Sequence, residues 1–160
     1  MPRGGSRDGE GTKTAITNRK ALRDYEILDR FEAGMVLTGA EVKSLRAGQG
    51  SLSEAYARIR GEDVWVEGMH IPPYAQQMDK RTYDPARARK LLLHRKEVHR
   101  LIGTMAEKGF ALVPLRVYFA HGLAKIELGL GRGRRTFEKR EVIKARDAKL
   151  EMDRAARRRR

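Results

Sequence analysis

Arg87, Arg89 and Lys90 stand just ahead of the run Leu91-Leu92-Leu93-His94. Cations beside exposed apolar side chains match what looped or single-stranded RNA needs: positive groups for phosphate oxygens and apolar surface for unstacked bases. On a strand or extended loop, this alternation is expected to point the three charges the same way. If the outer leucines face the core, Leu92 is left exposed and can pack on a base. A solvated edge beside a buried leucine run explains the same pattern equally well.

Other chemistries find little support. The sequence contains no G-x-x-x-x-G-K-[ST], H-E-x-x-H or G-x-S-x-G motif. Gly129-Leu130-Gly131-Arg132-Gly133 is glycine-rich but lacks the strand-to-helix context of a dinucleotide site, so it reads as a hinge between a strand and the tail. His94 and His99 are five apart, off one helical stripe, and read as surface or capping residues. Glu62 and Asp63 sit where a hairpin tip is expected, and no pattern gathers carboxylates for metal-assisted hydrolysis. The expectation is a binding protein, not an enzyme, with no cofactor and no metal.

The elements that must position these residues are mostly strands. Over residues 25–37, Tyr25, Ile27, Phe31, Ala33, Met35 and Leu37 share one parity, broken only by Asp29, while Asp24, Glu26, Arg30 and Glu32 share the other. Gly34 interrupts the wet face and is expected to mark a bulge or sharp bend. Residues 40–46, with Val42 and Leu45 three apart, read as a short helix stopped by Gly48. Residues 56–60 and 64–68 form a hairpin around Gly61-Glu62-Asp63, and Pro72-Pro73 then breaks pairing and opens a loop to Asp84.

Val98, Leu101, Ile102 and Met105 define a helix over residues 95–108, with Gly109 as its stop. Residues 110–113 and 115–121 alternate as strands, His121-Gly122 turns the chain, and residues 125–130 return with Ile126, Leu128 and Leu130 inward. About five short antiparallel strands with a helix inserted are compatible with a small closed barrel of the oligonucleotide-binding (OB) type.

The net charge of +14 is unevenly spread. Residues 1–23 carry six basic and two acidic side chains, residues 24–131 sixteen and fourteen, and residues 132–160 thirteen and five. A nearly balanced body with basic ends suits a polyanion, nucleic acid before an acidic membrane, because neither end offers the wide apolar face of an interfacial helix. One hundred and sixty residues allow one modest domain, and the absence of cysteine excludes disulfides and thiolate metal sites. No apolar leader follows Met1, so a soluble, cytoplasmic chain is expected.

The run E-A-G-x-x-L-x-G-x-E-V-K-S-L-R-x-G from Glu32 to Gly48 closely resembles the signature of the SmpB family of bacterial SsrA-binding proteins. Asn18-Arg19-Lys20-Ala21, the stretch from Pro85 to His94, Leu112-Val113-Pro114-Leu115 and Lys139-Arg140 are similar to the same family in the same order. The resemblance implies an OB-like barrel with flanking helices over residues 18–131. Residues 1–17 are expected to be a disordered extension, and residues 132–160 a basic tail, disordered when free and helical on the ribosome.

The resemblance further implies binding to the transfer-RNA-like domain of transfer-messenger RNA (tmRNA), delivery to stalled ribosomes, and trans-translation. Asn18, Glu32, Leu92 and Lys125 match the family positions that contact that domain, and Lys20, Lys43, Arg46, Arg87, Arg89 and Lys90 join them as the candidate RNA-binding set. Arg132, Arg134, Arg135, Lys139, Arg140, Lys144, Arg146 and Lys149 are the candidate ribosome-binding residues of the tail. Implied partners are the small-subunit decoding centre and messenger channel, with alanyl-tRNA synthetase and elongation factor Tu reached through the RNA. The protein itself is expected to be a monomer. The rival reading is a ribosomal or ribosome-assembly protein, which would share the barrel and basic ends but bind ribosomal RNA.

Overall fold

The computed structural model describes residues 12–74, 83–107 and 109–158, and all their side chains except those of residues 135–145 and 158. In chain order these residues form β1 (Thr12–Thr17), α1 (Arg19–Asp24), β2 (Tyr25–Met35), α2 (Gly39–Arg46), β3 (Tyr56–Arg60) and β4 (Asp63–Glu67). Then come β5 (Arg89–Leu92), α3 (Arg95–Met105), β6 (Phe110–Ala120), β7 (Leu123–Gly133) and α4 (Arg134–Arg158). One antiparallel sheet takes the strands in the order β1-β6-β7-β2-β5-β4-β3.

This is a mainly β, OB-like fold, but an open one: among the described residues no ladder joins β1 to β3. The alternation read from the sequence supplies the core. Phe31 and Ala33 of β2, Leu112 and Val117 of β6, and Ile126 and Leu128 of β7 are buried together. Leu45 of α2 and Val98 and Leu101 of α3 join them, so both helices dock by the apolar stripe their spacing predicts.

Several expectations need correction. Residues 12–17 were expected to be unstructured, yet they form β1, paired along β6 from Thr12 opposite Ala120 to Thr17 opposite Arg116. Its weakly apolar sequence, T-K-T-A-I-T, gains order by completing a sheet edge that local composition does not reveal. Residues 1–11 lie outside the described residues. The irregularity in β2 falls between Ile27 and Asp29, not at Gly34. Gly34 instead lies between two ladders, opposite Lys125 of β7 on one side and Leu92 of β5 on the other.

The glycine run is strand, not hinge. Gly131 packs so tightly that a Cβ there would lie 2.3 Å from the Glu26 carbonyl oxygen, and one at Gly129 would sit 3.0 Å from Ile27 and Leu115 side-chain carbons. These glycines let β7 follow β2 through its bulge. Helix α4 begins at Arg134, directly after β7, in a stretch rich in the strong helix formers Ala, Lys, Glu and Arg. Helix α3 stops at Met105, before the expected end, with Gly109 at φ +93° just beyond.

Candidate nucleic-acid interface

Glu32, Leu92 and Lys125 come from three different strands and line one groove of about 380 Å³, together with Gly34, Met35, Leu93, His94, Leu123 and Ala124. Register explains the convergence. Leu92, Gly34 and Lys125 are cross-strand neighbours in one row, and such neighbours share a face of the sheet. Glu32 and Leu123 lie two residues along their strands from Gly34 and Lys125, on the same face. Leu91 is buried, Leu93 packs partly on the core, and Leu92 is 55% exposed, as the leucine-run reading expected.

The polar side of the groove is braced from strand β6. The Tyr118 hydroxyl donates a hydrogen bond to the Glu32 carboxylate, whose other oxygen lies 4.0 Å from the Lys125 ammonium. Burial, and then the hydrogen bond to Glu32, push the Tyr118 phenol well above its ordinary range. The Arg116 guanidinium covers the Tyr118 ring at 4.4 Å, and Arg116 and Arg30 both reach Glu127. Glu32 is thus aimed outward, with oxygens able to accept from base amino or ribose hydroxyl groups.

The other expected RNA-binding residues divide by burial. Arg89 does not point with Lys90: it is fully buried, its guanidinium donating to Glu41, to the Met69 carbonyl at 2.6 Å and to the Pro85 carbonyl at 3.0 Å. Strand alternation turns Arg89 inward with Leu91 and Lys90 outward with Leu92, so Arg89 is a structural residue. Arg87 also donates to Glu41 and is only partly exposed. Lys90 stands 3.6 Å from Asp63 at the surface.

Asn18 is buried as well. Its side chain accepts from the Ala21 amide, capping α1, and donates to the carbonyls of Leu52 at 3.1 Å and Pro114 at 2.9 Å. It fastens α1 and the segment at Leu52 to β6, at the edge of a pocket that Lys20 and Glu54 also line. Lys20 is exposed and 3.7 Å from Glu54, and Lys43 is exposed on α2. Arg46 lies 4.7 Å above the Phe119 ring and donates to the Gly122 carbonyl.

In the tail, Arg132 stacks 4.5 Å over Phe110 and Arg134 donates to the Tyr25 carbonyl, which fixes the root of α4. Arg146 and Lys149 are exposed. The side chains of Arg135, Lys139, Arg140 and Lys144 lie outside the described residues.

Glu41, Tyr118 and Leu123 were not anticipated, though each left a sign. Thr38 and Glu41 have capping-box spacing, and the structure shows both reciprocal bonds. Tyr118 and Leu123 are large side chains on the outward parity of otherwise inward-alternating strands. Among the described residues, no three or more acids or histidines gather to hold a metal ion, and no helix is long and apolar enough to cross a membrane.

An open OB-like barrel with a groove pairing leucines with a lysine and an oriented glutamate, and a basic helix leaving its edge, has the makings of an RNA-binding module. Comparison with known proteins makes this specific. The SmpB protein family model matches residues 15–158, and the chain belongs to the SmpB family. The SsrA-binding protein of Salinispora arenicola is 52% identical over 94% of each chain, and that of Thermobifida fusca 51% identical over 95% of this chain and 94% of its own. A chain in a solved structure described as "tmRNA-SmpB: a journey to the center of the bacterial ribosome" aligns with a TM-score of 0.63 and 47% identity. That alignment covers 74% of this chain and 83% of the other.

Proposed function

We propose that this chain binds the transfer-RNA-like domain of tmRNA and carries it to stalled ribosomes for trans-translation, acting as a binding protein without catalytic activity of its own. The observation that carries this reading is the convergence of Glu32, Leu92 and Lys125 in one groove, in a member of the SmpB family. The barrel takes the place of the anticodon arm that this RNA lacks. The tail reaches the small-subunit decoding centre and messenger channel, and alanyl-tRNA synthetase and elongation factor Tu engage only the RNA. The protein works as a cytoplasmic monomer. From Arg146 to Arg157 every side chain of α4 is exposed, so the helix has little packing to hold it. It is marginal in the free chain and is consolidated where ribosomal RNA neutralises its cations.

The test is a gel-shift titration with the transfer-RNA-like domain against ribosomal RNA competitor. Glu32→Ala, Leu92→Glu and Lys125→Ala should each weaken binding by about 1–3 kcal/mol, the scale of base-specific and stacking contacts, with the fold unchanged. Equal competition by ribosomal RNA would favour a ribosome-assembly role instead. Wild-type affinity in all three folded variants would sink the groove as the site.

A further inference from the structure

The groove has a shape that its individual residues do not convey. Gly34 sits in a row between Leu92 and Lys125, and having no side chain it leaves a notch in the outer face of the sheet. Its backbone is not in the left-handed region, and a Cβ built there would touch Leu92 Cβ at an ordinary 3.6 Å. Neither backbone strain nor close packing therefore demands glycine. What a larger residue would do is fill the notch.

Adjacent strands lie about 4.8 Å apart, so β5 and β7, on either side of β2, stand roughly 10 Å apart. One wall of the notch is Leu92, 55% exposed, and the other carries Leu123, 62% exposed. Two exposed leucines across a gap offer apolar surface that a flat apolar group entering between them would bury. Lys125, Glu32 and His94 stand at the rim, offering a cation, an acceptor and an imidazole. A volume of about 380 Å³ falls at the small end of ligand pockets, roughly 300–1,000 Å³, and suits one nucleotide unit.

Resting on the RNA-binding reading above, we infer that Gly34 is the floor of a recess for a single unstacked nucleobase. Leu92 and Leu123 grip its two faces, Lys125 meets its phosphate and Glu32 its amino or ribose hydroxyl edge. Leu123 thereby becomes a binding residue, and Gly34 sets the depth of the site.

The test uses the full-length chain and a transcript of the transfer-RNA-like domain. Gly34→Val fills the recess and Leu123→Ser removes a wall. Leu28→Ser, at another exposed leucine, 47% accessible and on the β2 bulge, is the control. Circular dichroism and thermal melting establish that each variant is folded, and Leu123→Ser, a surface change, provides the test even if Gly34→Val fails to fold. The expected result is an affinity loss of about 5- to 100-fold for both groove variants, on the scale of base stacking, with none for Leu28→Ser.

The slope of affinity against salt should stay unchanged, because no phosphate contact is removed. Chemical probing should show one base protected by the wild-type protein and reactive with Leu123→Ser. Wild-type affinity in the folded variants, or a protected base that stays protected, overturns the recess while leaving the RNA-binding reading in place. Failure of the wild-type chain to bind the transcript overturns both.

Discussion

The Tyr118 hydroxyl and the Glu32 carboxylate are hydrogen-bonded although strand β7 lies between their own strands, so a side chain from β6 reaches across β7 to aim one on β2. Removing the hydroxyl should unfix Glu32 without disturbing the core. Tyr118→Phe is expected to weaken RNA binding by about 1 kcal/mol, roughly fivefold, the net worth of one hydrogen bond. Combined with Glu32→Ala it should add almost nothing, which a double-mutant cycle measures.

The same contact shapes the alkaline limit of stability. Because the folded protein disfavours phenolate at Tyr118, the stabilisation is fully present below the ordinary phenol value of 10.0 and is lost as pH rises from there towards the raised value. Thermal melts between about pH 9 and 11 should fall more steeply for the wild type than for Tyr118→Phe.

Glu41 is predicted to be the costliest single carboxylate to remove. Burial would raise its pKa, but the Thr38 amide and the guanidiniums of Arg87 and Arg89 outweigh this and hold it below 4.5. Glu41→Ala strands a fully buried arginine, and denaturant titration should show a loss of about 3–5 kcal/mol. Replacing Glu41 and Arg89 together with apolar residues should be milder than either single change. Glu41's contribution is present above its unfolded pKa and vanishes as pH falls through the lower folded value, so acid destabilisation from this residue sets in only below about pH 4.5.

Two glycines should respond in opposite directions to alanine. At Gly131 the new methyl would meet the Glu26 carbonyl, and the two strands must separate, at a cost of about 1–3 kcal/mol. At Gly103, in α3, nothing lies within 4 Å of the new Cβ, so helix propensity alone should stabilise by about 0.5–1 kcal/mol. Chemical denaturation of both variants checks the pair.

Deleting residues 141–160 should leave affinity for free tmRNA within a few-fold while abolishing tagging on stalled ribosomes. Tagging at the wild-type rate by the shortened chain would dismiss the tail's proposed role.

Strands β2, β3, β4, β6 and β7, the hairpin at Gly61 and the exposure of Leu92 were legible because each rests on local alternation or a turn residue. What was illegible depends on partners distant in sequence. Asn18 and Arg89 carry polar groups that look suited to RNA, and only the fold reveals that carbonyls from Leu52, Met69, Pro85 and Pro114 consume them. Strand β1 exists because β6 offers it an edge. The notch at Gly34 depends on which strands flank β2, and no periodicity within β2 records that.

Strand β7 ends at Gly133 and helix α4 begins at Arg134, with no intervening linker. At 1.5 Å per residue the 25-residue helix is about 37 Å long, and Arg134 ties its first turn to the Tyr25 carbonyl. The junction therefore sets a phase as well as a direction. One residue added after Gly133 would advance the helix by about 1.5 Å and rotate its far end by roughly 100°, whereas seven would restore the facing almost completely. Where the basic side chains of the tail point is thus indexed to the barrel like the teeth of a key to its bow.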